Sequence, residues 1–146
     1  MTDKLTEQAR NAIGLAIGSA EELGHKYVGT EHLLIGLLEE GTGVASRVLE
    51  ANGVQADKVT ELVSQLISPN QNVGMLERGT YTPSASRVLE NSYREAVRFK
   101  APLIGTEHIL IALIRDGDFV ASKLLNTMGV NLQKLYMELR AAMGSD

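Results

Sequence analysis

The sequence predicts an all-α fold of eight helices, arranged as two pseudo-symmetric four-helix repeats. Three observations lead to this prediction. A block of sequence recurs after 76 residues, which is typical of a duplicated structural unit. Apolar residues in both copies follow the three- and four-residue spacing of amphipathic helices. Apolar and polar residues do not alternate over a useful length, so strands are not expected.

The repeat is clearest in the middle of each copy. Residues 29–54 and 105–130 align without gaps and are identical at 14 of 26 positions. Both blocks begin with the tetrapeptide GTEH and continue into an apolar run, LLIGLL in the first copy and ILIALI in the second. We therefore divide the chain into repeat one (4–68), a linker (69–80) that carries Pro, Asn and Gly, and repeat two (81–143), all within one domain over residues 1–146.

Capping residues mark where the helices start and stop. Thr6 and Thr82 precede the first periodic residues of their repeats, and proline after Thr82 suits a first helical position because its missing N–H would be unpaired there. Gly41 and Gly117 are expected to end the second helix of each repeat. That helix is apolar on several faces, so it should be the most buried of its repeat. The expected helices begin after Thr6 and Thr82 and then cover 30–40, 44–51, 56–67, 106–116, 120–127 and 132–143.

Composition restricts the class of protein. The net charge is −4 and the isoelectric point is about 5.4, with no basic run, so a generic nucleic-acid binder is not expected. Cysteine is absent, which excludes a disulfide framework and fits a reducing, cytoplasmic location. The first residues lack the apolar core of a signal peptide. The longest apolar stretches, about six residues, are too short to span a membrane.

The repeated GTEH has a purely structural interpretation. Glycine ends the preceding loop, Thr30 or Thr106 caps a helix, and Glu31 or Glu107 in the first turn complements the positive end of the helix dipole. Histidine then fills a half-buried position beside a neighbouring helix. This interpretation accounts for the glutamates only partly, because Asp or Ser would serve equally well in a first turn.

Catalytic and metal sites find little support in the sequence. The three histidines are His25, His32 and His108, and the last two occupy equivalent places in different repeats. The HExxH zinc motif, the P-loop pattern GxxxxGK followed by Ser or Thr, and the GxSxG nucleophile motif are all absent. We therefore expect no catalytic residue, no metal site and no cofactor.

Several segments together resemble the Clp repeat of Clp ATPase amino-terminal domains. They are LTEQA, LGHKYVGTEHLLIGLL and EEGTGVASRVLEANGV in the first copy, and YTPSASRVLE and IGTEHILIALIRDGDFVASKLLNTMGV in the second. The likeness covers nearly the whole chain, and GTEH in both copies is most similar to the ClpC branch. The resemblance implies eight helices in two pseudo-symmetric repeats, in agreement with the fold predicted above.

The resemblance also implies a non-catalytic recruitment module. In ClpC-type proteins this domain precedes the ATPase modules of an unfoldase and docks adaptor proteins and protein substrates. It also binds phosphoarginine at two equivalent pockets, which implies Glu31 with Thr6 in one and Glu107 with Thr82 in the other. The glutamate would hold the guanidinium and the helix start would hold the phosphate. Relatives often carry a basic residue where this chain has Ser84, and the loss of a nearby cation is expected to weaken phosphate binding in the second pocket.

Two interpretations of function stay open at this point. The chain is either the recruitment domain of a ClpC-type unfoldase, or a complete Clp-repeat protein that acts as a regulator or decoy for adaptors and marked substrates. A small hydrolase is a more distant alternative. Because hexamer formation in the family belongs to the ATPase modules, we expect the isolated domain to be a monomer without membrane or nucleic-acid partners.

Overall fold

A computed structural model describes residues 4–68 and 80–143 of the chain. These residues form eight α-helices and no strand, which confirms the predicted all-α class. The predicted linker, apart from Thr80, lies outside the described residues, and the repeat boundaries stay a prediction. The helices are α1 (Glu7–Glu22), α2 (Thr30–Glu40), α3 (Val44–Ala51), α4 (Ala56–Leu66), α5 (Pro83–Arg98), α6 (Thr106–Ile114), α7 (Val120–Thr127) and α8 (Leu132–Ala142).

The central position expected for α2 and α6 is confirmed. Every residue of α2 from Thr30 to Leu38 is buried, and α6 is buried except at Glu107. Gly36 lets α2 approach α1 closely, since an added Cβ would meet the backbone carbonyl of Ala12 and the amide of Ala16. Buried side chains from all eight helices form one core, so each repeat completes the apolar packing of the other.

The end of α6 differs from the sequence prediction. The helix stops at Ile114 with Arg115 as its C-cap, rather than at Asp116 before a glycine stop. Asp116 instead begins the next turn: its carboxylate accepts a hydrogen bond from the Asp118 N–H at 2.9 Å, and its carbonyl accepts one from the Phe119 N–H at 3.2 Å. In repeat one, Gly41 does end α2 in the left-handed conformation, with a φ of 81°.

Two short backbone pairings join the repeats. Leu5 and Ile104 form an isolated parallel bridge, and so do Val28 and Tyr81. The segment before α1 therefore lies beside the segment before α6, and the segment before α5 lies beside the segment before α2. Among the described helices, none is both long and apolar enough to cross a membrane.

Candidate functional site

The start of α2 and the start of α6 are closed by histidine. The Gly29 N–H donates to Nδ1 of His32 at 2.9 Å, and the Gly105 N–H donates to Nδ1 of His108 at the same distance. The two glycines are the N-cap residues, with no side-chain cap of their own. The histidines of GTEH thus fix the helix entry, a role that the sequence interpretation had given to threonine.

The threonines of GTEH cap helices of the opposite repeat. Oγ1 of Thr30 accepts a hydrogen bond from the Ala121 N–H at 3.1 Å, at the start of α7. Oγ1 of Thr106 accepts one from the Ala45 N–H at 3.2 Å, at the start of α3. The expectation that each threonine caps its own helix was wrong, because each hydroxyl accepts its hydrogen bond from a helix of the other repeat.

Each glutamate of GTEH folds back over the glycine of its own motif. A Cβ added to Gly29 would lie 2.8 Å from Cδ of Glu31, and one added to Gly105 would lie 2.8 Å from Cδ of Glu107. The φ angles of these glycines, −103° and −99°, are ordinary extended values. Glycine here leaves the space that the carboxylate occupies, and a larger residue would displace the glutamate side chain.

The two carboxylates differ in burial. Glu31 is 9% exposed, whereas Glu107 is half-buried. Burial raises the pKa of Glu31 above its ordinary value, and the hydrogen bond from its own backbone and the nearby His25 oppose that rise only in part. A buried carboxylate with a raised pKa is a group that gains from the arrival of a cation.

A hydrogen-bonded histidine pair supports the first motif. Nε2 of His32 lies 2.8 Å from Nδ1 of His25, and Nε2 of His25 lies 3.2 Å from the carbonyl oxygen of Ile67. Because Nδ1 of His32 accepts from Gly29, the neutral ring carries its proton on Nε2 and donates to His25. His25 then donates to Ile67, so this chain of bonds ties GTEH to the end of α4.

The predicted site threonines Thr6 and Thr82 are N-caps, as expected. Oγ1 of Thr6 accepts from the Ala9 N–H at 3.0 Å, and Oγ1 of Thr82 accepts from the Ala85 N–H at 3.1 Å. The first amides of each helix have no acceptor within the helix, so both starts offer N–H groups and a positive dipole end to an anion. Proline at the first position of α5 gives that helix one donor fewer.

The pairing of these threonines with the glutamates is the reverse of the one expected. The Thr82 N–H donates to the Val28 carbonyl at 2.9 Å, just before the motif that holds Glu31. The Thr6 N–H donates to the Ile104 carbonyl at 2.9 Å, just before the motif that holds Glu107.

The packing of α1 against α2 explains this reversal. Gly36 touches α1 near Ala12, and the connection between the two helices closes near His25. Thr6 therefore lies at the far end of the hairpin from Glu31. The backbone therefore brings the segment before Glu31 beside Thr82, and the segment before Glu107 beside Thr6, rather than the pairs that were expected.

This arrangement supplies a carboxylate for a cation and a helix amino terminus for an anion. Over residues 4–68 and 80–143, no cluster of His, Asp and Glu has the composition of a metal site. The described residues thus form an eight-helix module that carries a candidate ligand site. The chain belongs to the Clp repeat (R) N-terminal domain family, whose model matches residues 4–128 and 80–145.

Comparisons with known proteins agree with this family. The chain is 40% identical to the competence regulator ClpC/MecB of Bacillus subtilis over 146 residues, covering 100% of this chain and 18% of that protein. It is 39% identical to the chaperone ClpB of Oceanobacillus iheyensis over 150 residues, covering 100% and 18%. The chain thus spans about a fifth of the length of these curated relatives.

Solved structures show the same fold. The N-terminal domain of ClpD from Arabidopsis thaliana superposes with a TM-score of 0.79 at 24% identity, over 97% of this chain and 96% of that one. The ClpV N-domain in a complex with a VipB peptide gives a TM-score of 0.73 at 19% identity, over 99% and 89%. The likeness to the Clp N-domain that the sequence predicted is confirmed.

Proposed function

We propose that this chain recruits proteins to a ClpC-type unfoldase, docking adaptors and substrates for the ATPase modules of the parent protein. Family membership and the 40% identity to ClpC/MecB support this role. The ClpV N-domain, which shares the fold, has been solved with a peptide bound. The cysteine-free composition favours a cytoplasmic setting.

We further propose that the ligand of the two sites is phosphoarginine. The observation that supports this proposal is the backbone pairing that brings the residue before each GTEH motif, Val28 or Ile104, beside the start of a first helix of the other repeat. Phosphoarginine carries a guanidinium beside a dianionic phosphate. A carboxylate binds the first by paired, charge-assisted hydrogen bonds, and helix N–H groups bind the second. The cross-repeat backbone pairing supports a site in which both kinds of group are available.

The two sites differ in what they offer the phosphate. The site of Glu31 faces the start of α5, where Pro83 lacks an N–H and Ser84 brings no positive charge. The site of Glu107 faces the start of α1, where all amides are present but Glu7 places a negative charge in the first turn. We expect two affinities of the same order, each lower than a site with a basic neighbour would give.

Calorimetric titration with free phosphoarginine tests this proposal, with arginine and phosphoserine as ligand controls. Wild type should bind two equivalents of phosphoarginine and neither control. Glu31→Ala and Glu107→Ala should each weaken one site by roughly ten- to a hundredfold, the loss of one charge-assisted hydrogen bond. Glu50→Ala removes an exposed carboxylate from α3 and serves as the matched control.

The double variant separates binding from folding. It should lose phosphoarginine binding while its helical circular dichroism stays that of wild type. If the folded double variant still takes up two equivalents with unchanged affinity, the glutamates are structural and the ligand site lies elsewhere.

A further inference from the structure

A cavity of about 790 Å³ lies between the end of α5, the start of α6, the last turns of α8 and Val44 at the start of α3. Its lining residues include His108 and Glu107 and the aromatic residues Phe99 and Tyr136. At the position of Ala101, repeat one has His25, whose Nδ1 lies 2.8 Å from Nε2 of His32.

The loop after α5 has the same backbone as the loop after α1. In repeat one the N–H groups of Leu23, Gly24 and His25 donate to the carbonyls of Ser19, Glu21 and Ala20 at 2.9–3.1 Å. In repeat two the N–H groups of Phe99, Lys100 and Ala101 donate to the carbonyls of Glu95, Val97 and Ala96 at 2.9–3.0 Å. The donors and acceptors correspond one to one, so the scaffold is shared and only the side chains differ.

Each substitution in this loop favours a ligand site in repeat two. Ala101 stands where repeat one has His25, so it leaves space beside His108 instead of filling it. Phe99 replaces a leucine and places its ring centroid 6.3 Å from that of His108, as a wall of the cavity. Lys100 replaces Gly24.

Lys100 is placed at an energetic disadvantage. It has a φ of 58° and is the only non-glycine among the described residues with a positive φ, whereas Gly24 in repeat one has a φ of 75°. A left-handed backbone favours glycine, and a lysine there carries strain.

Positive charge surrounds the cavity. Arg98, Lys100 and Arg140 line it, and Glu107 is the one carboxylate among its lining residues; Arg98 also lies 3.9 Å from Glu95, and the guanidinium of Arg140 lies over the Tyr136 ring. The positions equivalent to these three cations in repeat one are Glu22, Gly24 and Ser64, so the positive charge belongs to repeat two alone. In a chain of net charge −4, this concentration of cations selects for an anionic partner locally.

We propose that this cavity binds an acidic peptide segment of a partner protein, with an apolar side chain seated between Phe99 and Tyr136 and carboxylates at Arg98, Lys100 and Arg140. The mixture of aromatic walls and cationic rim matches a peptide in which acidic and apolar residues alternate. A polyanion such as nucleic acid would meet the negative charge of the rest of the chain. The cavity shares Glu107 with the proposed phosphoarginine site, but the cations that select the acidic peptide, Arg98, Lys100 and Arg140, are not part of that site.

Fluorescence anisotropy with a labelled peptide of alternating glutamate and leucine tests this proposal. The decisive variant converts the loop to that of repeat one: Phe99→Leu, Lys100→Gly and Ala101→His together. The chain already folds this loop sequence in repeat one, so the variant should keep its melting temperature while binding is lost. Lys100→Gly and Arg98→Gln alone should each weaken binding by about two- to fivefold, the range of exposed ion pairs.

Arg87→Gln is the matched control, because Arg87 is an exposed arginine of the same helix that does not line the cavity. It should bind as wild type does. A peptide of alternating lysine and leucine should not bind. Added salt should weaken the binding of the glutamate peptide, because it screens the attraction between the carboxylates and the cations. Unchanged affinity in the loop variant would overturn the proposal. Equal binding of the lysine peptide or of a single-stranded DNA oligonucleotide would overturn the ligand class. Loss of peptide binding with retained phosphoarginine binding would support the proposal, because it would assign the peptide to the loop and not to the shared Glu107.

Discussion

The hydroxyl of Thr30 caps a helix that begins 91 residues later in the chain, by accepting a hydrogen bond from the Ala121 N–H at 3.1 Å. In the equivalent bond of the other repeat, the hydroxyl of Thr106 accepts from the Ala45 N–H at 3.2 Å, at the start of α3. Neither α7 nor α3 has a side-chain cap from its own N-cap residue, Phe119 or Gly43. The two repeats therefore complete each other's helix starts, and GTEH contributes to the interface between them as well as to a ligand site.

Thr30→Val and Thr106→Val should each lower the free energy of unfolding by about 1–3 kcal/mol, because each leaves a buried N–H without its acceptor. Denaturant unfolding measures this change. The double variant should show nearly the sum of the single effects, since the two bonds share no partner. Thr127→Val, at an exposed position on α7, should change stability by less than about 0.5 kcal/mol. Single effects no larger than this control would show that the inter-repeat caps contribute little.

Leu37→Ala and Leu113→Ala should each destabilise the protein by about 2–5 kcal/mol, because both side chains are fully buried in the central helices and their removal leaves a cavity. Thermal melts followed by circular dichroism measure the loss. Leu66→Ala, at a position 64% exposed, is the control and should have a much smaller effect. A loss near that of the control would mean that the core around α2 and α6 repacks.

Stability should fall as the pH is lowered from about 6.5 toward 4. Burial, with a smaller contribution from His25, lowers the pKa of His32 from 6.5 to about 4. Between these pH values His32 is protonated in the unfolded chain but neutral in the folded chain. The contribution of the neutral His32 to the free energy of unfolding is therefore complete above pH 6.5 and is lost progressively below it. The loss from His32 amounts to about 3 kcal/mol at most.

His32→Asn tests this account, because the amide oxygen can still accept from the Gly29 N–H but the residue does not titrate. Urea midpoints measured between about pH 4 and 7 should depend less on pH in the variant than in wild type. An unchanged pH dependence would assign the acid sensitivity to other groups, such as His108, whose pKa is also lowered by burial.

The isolated chain should not turn over ATP and should be a monomer. The sequence lacks the glycine-rich loop and lysine that hold nucleotide phosphates in P-loop enzymes. A coupled phosphate-release assay and light scattering measure these two properties. Turnover above that of a heat-denatured sample, or a stable hexamer, would contradict a purely recruiting role.

The helices were predictable because their signals are local. Thr6 and Thr82 cap the helices expected of them, and Gly41 ends α2 as expected. The end of α6 was not predicted, because Asp116 bonds forward into the next turn and so competes with helix continuation.

The site was only half predictable, since its parts come from distant segments. The glutamates and the threonines were identified, but their pairing depends on how Val28 and Ile104 bond to the opposite repeat. Sequence periodicity does not predict a hydrogen bond between backbone groups that are far apart in the chain. The cavity of repeat two did leave a signal, because Leu23-Gly24-His25 and Phe99-Lys100-Ala101 differ at every position beside an otherwise well-matched motif.

Glu31→Gln should stabilise the fold while it impairs the site. Two effects act on this carboxylate: the helix start favours the charge by about 0.3–1 kcal/mol, and burial opposes it. The pKa of Glu31 is raised, with burial as the largest cause, so the charge is a net cost to folding at neutral pH and the neutral amide removes it. We expect a gain of about 0.5 kcal/mol or more in denaturant unfolding, the scale of other stabilising changes at functional sites. The gain should vanish at low pH, where Glu31 is protonated in wild type.

Glu107→Gln, on a half-buried side chain, should change stability less. Calorimetry on the same proteins should show phosphoarginine binding weakened at one site in each. If Glu31→Gln instead lost about 1 kcal/mol or more, with binding intact, the carboxylate would be part of the helix start and not a receptor for a guanidinium.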